Sequence, residues 1–155
     1  MISAQAHLLK LPKTWRNQMR SYSELSKIDN YYDRLLYLML HQVPIDETFG
    51  SKRYLNQQLY RSREWHDIRR DVIIRDEACD LGCGDRMLDK YILIHHINPI
   101  TIDDIDKHSD KIFDMDNLIC VSRNTHNLIH YGRDEDVKML KMFSVERRPG
   151  DTKLW

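Results

Sequence analysis

Apolar residues recur along this chain in two rhythms, and the change from one to the other marks its elements. Between Asp29 and His41, Tyr32, Leu35, Leu36 and Met39 fall three to four positions apart, which predicts an amphipathic helix. Trp65, Ile68, Val72 and Ile73 repeat that pattern with arginines opposite. Ser62 stands where an N-cap belongs, so a second helix is expected from there to about Asp76. Ser21 and Glu24 have the spacing of a capping box and start a short helix. From Tyr91 to Ile97 the run YILIHHI is rich in β-branched and aromatic residues and reads as a strand ending near Pro99. Leu118 to Val121 reads as a second strand. Ser122 then caps a helix that runs through Tyr131 and stops at Gly132.

Polar and turn-forming residues punctuate these elements. VPIDETFG is a loop ended by Gly50, and CDLGCGDRMLD turns at Gly82 and Gly84. A long loop joins the two strands from Thr101 to Asp116. Beyond Gly132, residues 134–143 are expected to be helical and RRPGDTKLW to form an extended tail. The outcome is an α+β protein with a helical, basic N-terminal extension over 1–60. A core follows over 61–133, and a tail over 134–155 packs on or beside it.

Composition narrows the class. With 155 residues, 41% apolar and 31% charged, the chain is long enough for a real core and is neither disordered nor collagen-like. No apolar run approaches the roughly 20 residues of a membrane span, and the N-terminus lacks the pattern of a signal peptide. No membrane partner is therefore expected. The odd count of 3 cysteines fits reduced thiols and a cytoplasmic location.

Charge changes the picture more. Lys plus Arg and Asp plus Glu both number 24, and a net charge of zero argues, at face value, against a nucleic-acid partner. The charges are segregated, however. Lys10, Lys13, Arg16 and Arg20 open the chain with no acid among them. Arg61, Arg63, Arg69, Arg70 and Arg75 outnumber Glu64, Asp67 and Asp71, and the segment from Lys138 is basic again. The balancing acid lies largely in one loop, where Asp103, Asp104, Asp106, Asp110, Asp114 and Asp116 face Lys107 and Lys111. Local clustering governs the field a ligand meets, so a basic face remains available.

The histidines carry the candidate chemistry. His126 and His130 are one helical turn apart, so both imidazoles lie on one helix face and can converge on a divalent ion. His95 and His96 are adjacent at the end of a strand, where successive side chains point to opposite faces. One of them is expected to join the helix pair as a third ligand, with the other standing nearby as a free base. Three protein ligands with an open position suit a catalytic metal, and a neutral histidine suits proton abstraction from water.

IHHINP followed by DNLICVSRNTHNLIHYG resembles the HNH endonuclease superfamily, whose core is a ββα-metal finger. The likeness is specific over 91–132. It extends to phage-encoded HNH proteins through FGSKRYLNQQLYRSREW upstream and RRPGDTKLW downstream. By position, the resemblance implies that His95, His126 and His130 are metal ligands, that His96 is the general base, and that Asn117 holds the finger's loop and orients that base. It further implies one divalent ion per chain, whether Mg, Mn, Ni, Co or Zn, and hydrolysis of DNA to 5′-phosphate and 3′-hydroxyl ends, as an endonuclease or a nickase. The phage relatives point to terminase or other packaging proteins as partners.

Two departures matter. Many such proteins bind a structural zinc through two cysteine pairs. Here only Cys79 and Cys83 are near one pair, Ser122 and Thr125 stand where the other belongs, and Cys120 falls two residues early. No four-cysteine zinc site is expected. Asp104, Asp106 and His108 superficially suggest a calcium loop, but Ser109 and Met115 occupy the positions that need Gly and Glu. Two rival readings stand beside the nuclease. One is a non-catalytic zinc-stabilised binding module using Cys79, Cys83, His126 and His130. The other is a regulatory protein that keeps the fold without the activity. Oligomeric state is not set by these features.

Overall fold

The computed structural model describes residues 19–40, 53–82, 86–88 and 90–137. Four sequence features lie outside them: the basic run from Lys10 to Arg16, the VPIDETFG loop, Cys83 with Gly84, and the segment from Lys138 to the tail.

Short capped helices open the described chain. Helix α1 spans Tyr22–Leu25, and its N-cap Ser21 accepts from the Glu24 backbone N–H. The reciprocal arm of the box is rebuilt by a tertiary neighbour. The Ser21 N–H donates to the Tyr37 hydroxyl at 2.8 Å, and that hydroxyl donates to Glu24 Oε2 at 2.7 Å. Helix α2, Tyr31–Leu38, starts at Asn30, whose side chain accepts from the N–H groups of Tyr32 and Asp33. It ends earlier than its apolar rhythm predicts, because Met39 turns extended and the Leu40 N–H donates to the carbonyl of Ile129. The Arg20 guanidinium covers the freed carbonyls of Tyr37, Leu38 and Met39 through Nη1.

Helix α3, Arg53–Arg61, is an addition that its polar sequence did not announce. Helix α4, Arg63–Arg75, follows with Ser62 as N-cap, as its spacing predicts. The chain leaves α4 through two consecutive left-handed residues, Glu77 and Ala78, with φ of 53° and 54°. It then forms a small hairpin, β1 (Cys79–Asp80) with β2 (Arg86–Met87), where the sequence suggested only a turn.

The central ribbon is antiparallel, with β3 (Leu93–His96) against β4 (Leu118–Val121) and His95 opposite Ile119, His96 opposite Leu118. The acidic connection is more ordered than a loop. It contains α5, Ile102–Asp106, started by a complete capping box between Thr101 and Asp104, and two 3-10 turns at 110–112 and 115–117. Helix α6, Arg123–Tyr131, begins at the N-cap Ser122. It stops at Gly132, whose backbone turns extended, and a Cβ there would run into the Leu128 carbonyl, so the position excludes a side chain.

Every residue of β4 is buried, which requires cover on both faces. Ile119 and Val121 face a cluster formed with Leu25, Leu35, Leu38, Ile97 and Ile129, so α1, α2 and α6 share one core with this side of the ribbon. Leu118 and Cys120 face the other way and pack with Trp65 and Val72 of α4. Each fully buried aliphatic side chain contributes about 1.5–3 kcal/mol. The ribbon is thus held from both sides, and its two faces are chemically separate.

Candidate metal centre

Strand alternation assigns the adjacent histidines to different faces, as their spacing predicts. His95 points to the α6 side. There its ring centroid lies 5.4 Å from that of His126 and 5.2 Å from that of His130, and the two helix rings are 4.4 Å apart. One potential ligand atom from each of the three lies within 4.8 Å of the others, so the cluster could hold a metal ion. His95 is buried, at 3% exposure, and its Nε2 and the Nδ1 of His130 are buried atoms without a hydrogen-bond partner. Such orphaned nitrogens cost about 1–3 kcal/mol each unless something coordinates them.

Electrostatics favour the ligating form. Burial lowers the pKa of His95 well below the ordinary histidine value, and the neighbouring His130, His126 and His96 lower it further. Burial and His126 push His130 down to about 4, and burial lowers His126 as well. All three are neutral at pH 7, the protonation state metal binding requires.

His96 occupies the opposite face. Its Nε2 is 3.0 Å from the carbonyl oxygen of Ile112, and its ring stacks on Trp65 with centroids 5.6 Å apart and planes 24° apart. A carbonyl only accepts, so the neutral tautomer carries its proton on Nε2 and leaves the lone pair on Nδ1. Burial pushes its pKa down to about 4, with the Ile112 bond opposing and Lys111 adding to the shift.

Asn117 is 3% exposed and uses its whole amide. Its Oδ1 accepts from the Asn98 backbone N–H and from Asn98 Nδ2, each at 2.8 Å, and its Nδ2 donates to the carbonyl of Lys111 at 3.1 Å. Lys111 and Ile112 are consecutive, so the loop that Asn117 grips is the loop that orients His96. Asn98 in turn exchanges two bonds with Arg20, whose backbone N–H donates to Asn98 Oδ1 and whose carbonyl accepts from Nδ2.

The cysteine and arginine expectations resolve differently. The Cys79 Sγ donates to the Glu77 carbonyl and is not part of the histidine cluster; among the described residues that cluster takes His95 instead. Cys120 is fully buried, and burial together with Asp76 pushes its thiol up to about 12. Ser122 and Thr125 are instead joined through Asp80, a carboxylate at 1% exposure. It accepts from the Ser122 N–H at 2.9 Å, the Thr125 hydroxyl at 2.7 Å and the Gly82 N–H at 3.1 Å. A hydrogen-bonded carboxylate therefore ties the β1 turn to the start of α6.

The arginines of α4 serve the fold. Arg69 donates to the Ile92 carbonyl. Arg75 donates to the carbonyls of Met115 and Leu118, pairs with Asp76 and lies 3.6 Å over the Tyr22 ring. Arg63 and Arg70 pair with Asp67 on the surface.

Sequence reasoning did not single out Trp65, Asn98, Arg20, Asp80 or the Ile112 carbonyl as parts of this site. Trp65 carried a signal only as a member of the apolar face of a capped helix. A backbone carbonyl carries none. Beside the Asn98–Asn117 pair lies a cleft of about 410 Å³ lined in part by Asp110, Asp114 and Asp116. No helix among the described residues is long and apolar enough to cross a membrane. Comparison with protein-family models, with characterised proteins and with solved structures finds no match.

Proposed function

We propose that this chain is a divalent-metal-dependent HNH DNA endonuclease or nickase, with β3, β4 and α6 as its ββα-metal finger. The observation that carries the reading is the division of labour at the end of β3. His95 joins His126 and His130, and the next residue, His96, is a neutral imidazole with Nε2 tied to Ile112 and Nδ1 free. A divalent ion held by the three ligands would supply Lewis-acid stabilisation to a phosphodiester. His96 Nδ1 would take the proton from the attacking water, while Asn117 keeps the Lys111–Ile112 carbonyls in place. The two histidines are neighbours, about 3.8 Å apart at Cα, so a phosphate laid across the end of the ribbon meets one ring on each side.

Supercoiled plasmid incubated with the full chain and Mg²⁺, Mn²⁺, Co²⁺, Ni²⁺ or Zn²⁺ tests this directly. Nicked or linear product that depends on metal and falls by about 10²–10⁴ in His96→Ala is the expected result. Cleavage that persists in His96→Ala removes the base assignment. Absence of cleavage with every ion, together with unfolding by chelator, moves the protein to the zinc-stabilised binding module.

A further inference from the structure

We infer that Trp65 is a positioning residue for the general base His96, an assignment that rests on the endonuclease reading. A single hydrogen bond from Nε2 to the Ile112 carbonyl leaves the imidazole free to pivot about the line of that bond, and the second side-chain torsion of histidine is broad. The indole removes that freedom. It lies against the imidazole with only 24° between the planes, so a pivot drives the ring edge into the indole or breaks the stacked contact. Bond and stack together define the direction of the Nδ1 lone pair.

The indole is itself fixed. Tyr60 meets it edge-on, with ring centroids 5.0 Å apart and planes at 71°. Ser62 Oγ accepts from the Trp65 backbone N–H at 3.1 Å, so the cap that starts α4 also anchors the stacking residue. Trp65 is 5% exposed and shares its cluster with Val72, Leu118 and Cys120, the last two on the ribbon that carries His96. An aliphatic side chain of similar bulk would fill this space without offering a flat surface.

The test compares wild type, Trp65→Leu and Trp65→Phe in the full chain. Misplacing a reacting group by about 1 Å costs on the order of 10² in rate. Trp65→Leu is therefore expected to lower kcat for plasmid cleavage about 10- to 100-fold with KM and Zn²⁺ affinity unchanged, and Trp65→Phe to recover most of it. In ¹⁵N NMR spectra of the histidine rings, the His96 signals, identified by their loss in His96→Gln, should move from the single Nε2-protonated tautomer toward a mixture of tautomers in Trp65→Leu while those of His126 and His130 stay. Wild-type kcat in Trp65→Leu, or unmoved His96 signals, overturns the assignment. So do equal losses in the Leu and Phe variants accompanied by weaker Zn²⁺ binding, which would make Trp65 a support of the fold alone. If wild type cleaves with no ion, the endonuclease reading fails, and the NMR comparison alone decides whether Trp65 holds His96.

Discussion

His95 and His96 are consecutive in β3 yet belong to different environments: the His95 ring meets His126 and His130 on α6, and the His96 ring lies on Trp65 of α4. The strand's twofold alternation makes this separation, and the two covered faces of the ribbon make it chemically consequential.

Metal affinity should follow the faces. Replacing His126 by Ala removes one imidazole of the cluster and is expected to weaken Zn²⁺ or Co²⁺ binding by at least the 10–100-fold that losing an outer partner already costs. His96→Ala should bind the ion as wild type does. Isothermal titration of both variants decides it, and equal affinities for wild type and His126→Ala would remove the ligand set.

Acid should destabilise the metal-free chain in a defined window. His96 and His130 are held near 4 in the fold, against about 6.5 in an unfolded chain. Between those values the unfolded state binds more protons, so stability falls as pH is lowered from about 6.5 to 4. For the buried His96 alone the span corresponds to on the order of 3 kcal/mol. Thermal melts of chelator-treated protein at pH 7 and pH 4.5 should show a clear fall in Tm, and a flat profile would contradict the buried, neutral state.

Asn117 links the loop to His96, and its two amide atoms can be separated. Asn117→Asp keeps an acceptor for Asn98 but replaces the donor to the Lys111 carbonyl with a second oxygen. It should fold with a loss of about 1–3 kcal/mol and lose cleavage while retaining metal. Urea titration and the plasmid assay read the two effects separately; wild-type kcat in this variant would free the loop from Asn117.

The Asp80 node predicts a stability effect without a metal effect. Asp80→Ala strands the N–H groups of Gly82 and Ser122 and the Thr125 hydroxyl, at a cost of about 3 kcal/mol. Gly82→Ala places a Cβ 2.5 Å from Thr125 Cγ2, too close without a shift, and should cost about 1–3 kcal/mol. The two share a partner, so their effects should not add. Denaturant midpoints for the single and double variants check this, and full additivity would mean that the contacts are independent.

The acidic cleft should repel DNA. Asp110 and Asp114 are exposed on it beside Asn117. Asp110→Asn with Asp114→Asn is expected to tighten DNA binding severalfold at low salt and to lose that gain as salt screens the field. Fluorescence anisotropy with a labelled duplex measures it. Binding equal to wild type at low salt would show that DNA lies elsewhere.

Much of this arrangement was legible along the chain because it depends on periodicity. Strand alternation separated His95 from His96, helical spacing brought His126 beside His130, and Ser62 and Ser122 announced two helices, all through local geometry. The bounds that moved were set by distant partners: Leu40 leaves α2 to pair with Ile129, and the Tyr37 hydroxyl replaces one arm of the Ser21–Glu24 box. The charge segregation read from the sequence also acquired a different meaning. Arg69 and Arg75, counted as a basic segment, are bound to backbone carbonyls, and Asp103, Asp104 and Asp116 of the acidic loop are engaged by Lys107, Thr101 and Ser23.

By itself the sequence determined the α+β class, the helix and strand that carry the histidines, and the placement of the two adjacent imidazoles on opposite faces of that strand, because backbone periods are properties of a few neighbouring residues. Backbone periods left open which of the two joins the helix pair; packing places the His95 ring there. Tertiary structure alone decided that Trp65 and the Ile112 carbonyl enclose the remaining ring, and that Asp80 gathers Ser122 and Thr125. Those relations join residues 16 to 45 positions apart, where no local period operates and only the packing of both faces of one short ribbon selects the partners.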